Sequence, residues 1–293
     1  MTNPPRVAFL PLILLMALAV APSTAEPIQV IAIGAHPDDC DIKAGGIAAK
    51  YAAAGHNVKF VSVTNGDAGH QSEGGGMLAA RRRAEAQESG RRLGIEYEVL
   101  DNHDGELVPS LEVRMQIIRR IREWDADIVI APRPNDYHPD HRYTGILVQD
   151  ASYMVTVPNL ASDTPPTNKT PLFLYFSDRF TRPQPFRPDI VVSIDDVVEK
   201  KYAALDAHVS QFYEWLPWHA GRLDEVPKDP KGRLAWLKAA RSLEISDAWR
   251  EAARARYGAA ADSIERAEAF EITEYGLQPT EAQIRRLMPF FPD

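Results

Sequence analysis

From residue 28 onward, short runs rich in β-branched residues alternate with longer stretches of helical spacing, the pattern of βαβ units built around a parallel sheet. Strands are predicted near 28–35, 57–64, 96–101 and 127–132. Between them, 43–54, 77–93 and 110–124 have helical character, and Gly55 and Gly94 follow the first two in C-cap fashion. A further helix should follow His141 and contain Asp150. The runs 172–176 and 189–193 would extend the sheet, and 195–210 should form a helix with His208 near its end. Proline and Asn/Thr clusters at 158–171, with prolines at 183, 185 and 188, mark long second-half loops, which in a compact α/β domain tend to be functional. Residues 231–268, charged and alanine-rich, read as a helical region with a solvated face. There are no internal repeats. The expected fold is a Rossmann-like α/β domain: a mostly parallel sheet flanked by helices, with a helical C-terminal region.

Composition adds a compartment. The 293 residues are 45% hydrophobic and 25% charged, an ordinary globular mix. The first 25 residues depart from it: Arg6 supplies a positive start, Val7 to Val20 is apolar, and Ser23-Thr24-Ala25 offers small residues to a signal peptidase. The apolar run is shorter than the roughly 20 residues that span a bilayer, so a cleaved signal peptide at 1–25 and a mature domain at 26–293 are expected, with a secreted or periplasmic location. Cleavage would remove only one charge and take the formal net charge from −8 to −9, which argues against nucleic acid or an anionic membrane surface as partner. The single cysteine, Cys40, excludes an internal disulfide. Oligomeric state cannot be read from these residues.

The chemistry is concentrated where strands end. Ile31-Ala32-Ile33-Gly34-Ala35-His36-Pro37-Asp38-Asp39 runs an apolar strand straight into a histidine and two carboxylates. Imidazole and carboxylate both ligate zinc-like cations, and catalytic zinc sites use three protein ligands and leave one position open. Adjacent carboxylates point in different directions, so one can hold metal while the other handles a proton. The same residues also make an ordinary solvated turn. A second strand, Asp127 to Ala131, is followed by His138-Pro139-Asp140-His141. In an open parallel sheet such strand ends share one crevice, and histidines three apart share a face if a helical turn opens at Pro139.

These residues resemble the PIG-L or LmbE-like zinc-dependent N-deacetylases, which remove acetyl groups from N-acetylglucosamine-type sugars and related amides. The resemblance includes Ala35 to Asp39, the Thr64-Asn65-Gly66-Asp67 turn, and Arg82 with Glu85 ahead of Leu93-Gly94. It continues through Asp104-Gly105 with Leu107, His138 to His141, and His208-Val209-Ser210-Gln211. It implies His36, Asp39 and His141 as zinc ligands, with another divalent metal as the alternative, and Asp38 as general base. His138 would stabilise charge or donate a proton, and the Asp140 carboxylate would keep that ring oriented. Arg82, Asp104 and His208 would face the substrate. The family often has glutamate after the paired aspartates, where this chain has Cys40; a thiolate could compete for metal, or the residue is a small buried apolar one at the start of the following helix.

Other features carry less. Gly74-Gly75-Gly76 lacks the lysine of a phosphate cradle and reads as a loop near the pocket mouth. Arg81 to Arg83 and Arg91-Arg92 interleave with Glu85 and Glu88 as surface ion pairs, Arg82 excepted. His56, His70, His103 and His219 lack partners at metal spacing. The aromatic stretch 212–218 either packs on the core or offers faces to sugar rings. No Gly-x-Ser-x-Gly is present, so a serine nucleophile is unsupported. Two rivals to a deacetylase remain: a metal-dependent hydrolase of another bond, and a glycan-binding protein with a non-catalytic pocket.

Overall fold

The computed structural model describes residues 26–292; the expected signal peptide lies outside them. In chain order the first half reads β1 (Gln29–Gly34), α1 (Asp39–Ala53), β2 (Asn57–Thr64), α2 (Gly75–Leu93), β3 (Glu96–Asn102), α3 (Leu111–Glu123), β4 (Ile128–Ala131) and α4 (Pro139–Met154). The second half reads β5 (Leu172–Phe176), β6 (Ile190–Ser193), α5 (Val198–Ala207), a π-helical turn Ser210–Trp215, α6 (Leu216–His219), α7 (Pro230–Ala240), α8 (Asp247–Tyr257), β7 (Ala267–Gly276) and α9 (Glu281–Leu287).

One seven-stranded sheet has the order β3-β2-β1-β4-β5-β7-β6, parallel from β3 to β5 and antiparallel where β7 meets β5 and β6. Alternate residues of β1 feed two cores: Val30 and Ala32 pack with α1, whereas Ile31 and Ile33 pack with α3 and α4. Burial on both faces explains why these strands read as unbroken apolar runs. Among the described residues, no helix is long and apolar enough to cross a membrane.

Two expectations are corrected. The predicted helix 195–210 ends at Ala207, with His208 as its C-cap, and the chain then enters the π-helical turn. The region 231–268 does not stay helical: a strand, β7, begins at Ala267 and lies inside the sheet. Its carboxylates made it look like a solvated face, yet Glu268 and Glu271 are buried. Glu268 accepts from the backbone N–H of Gly46 and Ile47 at 2.7 Å each and pairs with Lys201 at 2.5 Å. Glu271 accepts from Arg133 and from the Arg187 N–H. Paired charge is the ordinary condition for burying a carboxylate.

Candidate active site

The site forms beyond the carboxyl ends of β1, β3 and β4, where an open α/β sheet binds its ligands. At the end of β1 the Ala35 carbonyl accepts from the Thr64 N–H, the Thr64 hydroxyl and the Ser62 hydroxyl, so β2 fixes the turn that follows. Gly34 lets α1 start against the strand end, because a Cβ there would come within 2.7 Å of the Asp39 Cβ. Asp39 and Asp41 sit in the first turn of α1, where acidic residues complement the helix dipole. The Asp38 side chain makes no capping bond; it accepts instead from Arg82 Nη2 at 3.1 Å. The Cys40 thiol faces the core, 3.4 Å from the Ala32 carbonyl, and burial pushes its pKa well up, so it stays a thiol there.

Three donor atoms converge. His36 Nδ1 lies 3.2 Å from His141 Nε2 and 3.5 Å from Asp39 Oδ2, and the third edge, His141 Nε2 to Asp39 Oδ2, is 3.4 Å. Tetrahedral zinc, with bonds of about 2.0–2.1 Å to nitrogen and oxygen, separates its ligand atoms by roughly 3.3–3.4 Å. The triangle fits that ion without rearrangement. Ring nitrogens of His36, His138 and His141 also fall within 4.8 Å of one another, as do ligand atoms of His36, Asp104 and Asp140. The first triangle is the better cradle, because the carboxylates of the last set occupy the far side of the His36 ring. His36 Nε2 is 3.1 Å from Asp104 Oδ1 and 3.2 Å from Asp140 Oδ2, which keeps the proton on Nε2 and leaves the Nδ1 lone pair for a cation. Likewise, Asp136 Oδ1 sits 3.1 Å from His141 Nδ1.

The electrostatics favour a cation. Burial alone would lower His36, yet Asp104, Asp140 and Asp39 raise it well above the usual imidazole range. His141, likewise opposed by burial, is raised to about 9 by Asp39 and Asp136. Burial raises Asp39, but the His141 and His36 rings outweigh it and hold the carboxylate well below its usual range. The cluster gathers positive charge, which protons or a divalent metal can supply. Asp38 differs: burial lifts its pKa, Arg82 opposes and Asp39 adds to the rise. A raised carboxylate is suited to accept a proton near neutrality.

His138 caps α4, and its Nδ1 accepts the Asp140 N–H at 3.2 Å. Burial, then the charges of His36 and His141, push its pKa down, so the ring is neutral and carries its proton on Nε2. Pro139 opens the helix as expected. Asp140 acts differently from expectation: its backbone orients His138, while its carboxylate holds His36 and accepts the Gly105 N–H at 2.7 Å.

Two residues expected to face substrate are enclosed. Arg82 is 2% exposed, bonded to Asp38 and to the Gly66 carbonyl, with Nη1 3.6 Å from Asp104 Oδ2. Gly66, at φ +72°, makes room for it, since a Cβ would stand 2.6 Å from its Nη1. His208 is fully buried between Tyr97 and Phe212, its Nε2 3.1 Å from Asp41 Oδ2 though outside hydrogen-bond geometry. Both therefore shape the site from beneath it. Asp104 is at the site, committed to His36 and Arg82. Of the aromatic stretch, Phe212 packs in the interior while Trp218 stacks on Trp215 and is 47% exposed.

Sequence reasoning missed Asp136, Lys43 and Tyr137. Lys43 lies four residues after Asp39, one helical turn, lines a small cavity with Asp39 and His141, and donates to the Ser177 carbonyl at 2.8 Å. Tyr137 is 75% exposed and packs edge-on against His138 and His141. The signal for Asp136 was its place two residues before His138, whose N–H it accepts at 2.9 Å.

Comparison with known proteins gives this arrangement its lineage. Residues 31–152 match the family model described as PIG-L, GlcNAc-PI de-N-acetylase. The diacetylchitobiose deacetylase of Thermococcus kodakarensis is 34% identical over 204 residues, covering 65% of this chain and 73% of that protein. The N,N'-diacetylchitobiose deacetylase of Pyrococcus horikoshii superposes with a TM-score of 0.63 at 29% identity, covering 83% of each chain. A 4-oxalmesaconate hydratase of Pseudomonas putida is 24% identical over 195 residues, covering 64% of this chain and 75% of that protein. The matched segment contains both histidine-aspartate turns and the strands that carry them. This chain belongs to the PIG-L (LmbE-like) family of de-N-acetylases.

Proposed function

We propose that the protein is a zinc-dependent N-deacetylase that releases acetate from an N-acetylated amino sugar of the N-acetylglucosamine type. The observation that carries this reading is the triangle of His36 Nδ1, Asp39 Oδ2 and His141 Nε2 at 3.2–3.5 Å, with Asp38, held by Arg82, next in sequence to Asp39. A cation bound there would supply Lewis acidity toward a carbonyl oxygen and make a water more acidic. Asp38 takes the proton from the attacking water, and its raised pKa lets it hold that proton and pass it to the leaving amine. His138, neutral with Nε2–H outward, donates to the oxyanion that develops on the amide oxygen as water adds to the carbonyl carbon. Its neutral state makes Asp38 the better proton source for the amine. Arg82 keeps the Asp38 carboxylate aimed, and Asp104 and Asp140 keep the His36 ring turned. The same reading, with residues 1–25 as a signal peptide, puts the enzyme outside the cytoplasm; N-terminal sequencing of the exported protein would show whether it starts at Glu26.

The test is acetate release from chitooligosaccharides by the zinc-loaded protein. Wild type should release acetate, Asp38→Asn should keep its metal and lose turnover, and His141→Ala should lose both. Sugar binding without acetate release would make the protein a glycan binder. Acetate must be the readout, because the Pseudomonas putida relative is a hydratase on a related chain. Full activity in Asp38→Asn would defeat the assignment of the base.

A further inference from the structure

Lys43 stands one turn of α1 after Asp39, on the same face of the helix. Its ammonium donates to the carbonyl of Ser177, just past the end of β5, at 2.8 Å. With Asp39, Asp136, His141 and Asp178 it lines a cavity of about 30 Å³, so it shares walls with two corners of the donor triangle. Among the described residues, no carboxylate oxygen lies within 4.0 Å of its Nζ. Every other lysine withdrawn from solvent has such a partner: Lys50 pairs with Asp196, Lys59 with Glu96, Lys169 with Asp127, Lys201 with Glu268 and Lys238 with Glu199. Lys200, Lys228 and Lys231 are exposed. Lys43 alone is half-buried without an ion pair of its own.

The carboxylates around the cavity do not depend on Lys43 for their position. Asp39 Oδ2 accepts from the Ala35 and His36 N–H groups at 2.9 and 2.8 Å. Asp136 accepts from the His138 N–H and faces His141 Nδ1, while Asp178 accepts from the Phe180 N–H and pairs with Arg133. What Lys43 adds to them is charge. Burial lowers its pKa, and Asp39, then Asp136 and Asp178, oppose the fall. A cation held among these groups offsets part of the negative field that draws another cation to the triangle. In a partly buried site that repulsion is only weakly screened.

We propose that Lys43 is a fixed counter-charge that weakens the hold of the His36, Asp39 and His141 triangle on a divalent cation. By the same repulsion it leaves the ion's charge less neutralised and its pull on a carbonyl oxygen stronger. The inference rests on the reading of that triangle as a metal centre.

The test is the zinc affinity of chelator-treated protein near neutral pH, measured by competition with a zinc-binding indicator. Lys43→Met, which keeps the aliphatic stem and removes the charge, should bind zinc about tenfold or more tightly than wild type. Lys43→Gln, which can still donate to the Ser177 carbonyl, should also bind more tightly, and it carries the test if the methionine variant does not fold. Lys50→Met removes the same charge from the same helix two turns on, where Asp196 already neutralises it. It should leave the affinity as it was. The sign of the change separates charge from structure: a loosened contact between α1 and the end of β5 would weaken binding, whereas loss of a repelling cation strengthens it. Unchanged or weaker binding in both neutral variants overturns the role of Lys43 and leaves the metal centre standing. An equal gain in Lys50→Met overturns it too, since the effect would then follow net charge and not position. A wild type that binds no zinc overturns the inference together with the metal-centre reading.

Discussion

Protons and metal should compete for the same cluster, and the competition can be measured on stability. His141 has a folded-state pKa of about 9 against a usual 6.5, because Asp39 and Asp136 flank its ring. A raised pKa contributes stability that is complete below the unfolded value of 6.5 and is lost as pH rises through about 9. The difference of about 2.5 units corresponds to on the order of 3 kcal/mol. The metal-free protein should therefore lose that much stability between pH 6.5 and 9, a fall in Tm of roughly 6–12 °C for a domain of this size. Zinc replaces the proton as counter-charge to the carboxylates, so the loaded protein should show little of this loss. Its affinity should run the other way and weaken about tenfold for each pH unit lowered, for every proton displaced. His36 and His141 lie 3.2 Å apart and resist double protonation, so the number displaced should fall between one and two. The assay is thermal unfolding of chelator-treated and zinc-loaded protein across pH, with calorimetry in buffers of different ionisation enthalpy to count the protons. A metal-free protein whose Tm is flat from pH 6.5 to 9, or zinc binding that releases no proton, would refute the reasoning.

Removing the His138 ring as His138→Ala should lower kcat on the order of a hundredfold or more, the usual cost of one oxyanion donor, with metal content unchanged by elemental analysis. Arg82→Met should shift the acid limb of the kcat/KM profile to higher pH, since Arg82 opposes the rise in the Asp38 pKa. An unmoved limb would deny that coupling. Lys201→Met should destabilise the fold by about 3–5 kcal/mol in denaturant unfolding, because it strands the buried Glu268 carboxylate.

The two histidine-aspartate turns were legible because their signal is local. An apolar run followed at once by His36 and paired aspartates needs no knowledge of distant residues, and neither does His138 to His141 opening on a proline. What could not be read was direction. Asp140 has its carboxylate on His36, across 104 positions of sequence, while its backbone serves His138. Arg82 was singled out correctly as unlike its basic neighbours, yet helix spacing could not tell that it points inward, beneath Asp38, because that depends on how α2 packs. Strand β7 was hidden for the same reason. Glutamates at every third position look solvated until the fold brings Lys201 and the α1 amides to Glu268 and Arg133 to Glu271.

That hidden strand bears directly on the chemistry. Asp38 and Asp39 begin α1, and the middle of the same helix is clamped by Glu268 through the Gly46 and Ile47 amides. Lys201, from α5, completes the clamp by bonding both Glu268 and the Ile42 carbonyl, the latter at 2.8 Å. A helix held on its side by an ion pair has little freedom to slide along the sheet, and sliding would open the donor triangle by shifting Asp39 relative to His141. Glu268 and Lys201 lie outside residues 31–152, the segment that matches the family model, whereas the α1 groups they hold lie within it. The division follows from physics: ligand geometry requires short strand-to-helix turns, which the matched segment contains, whereas rigidity can be supplied from any part of the chain that packs nearby.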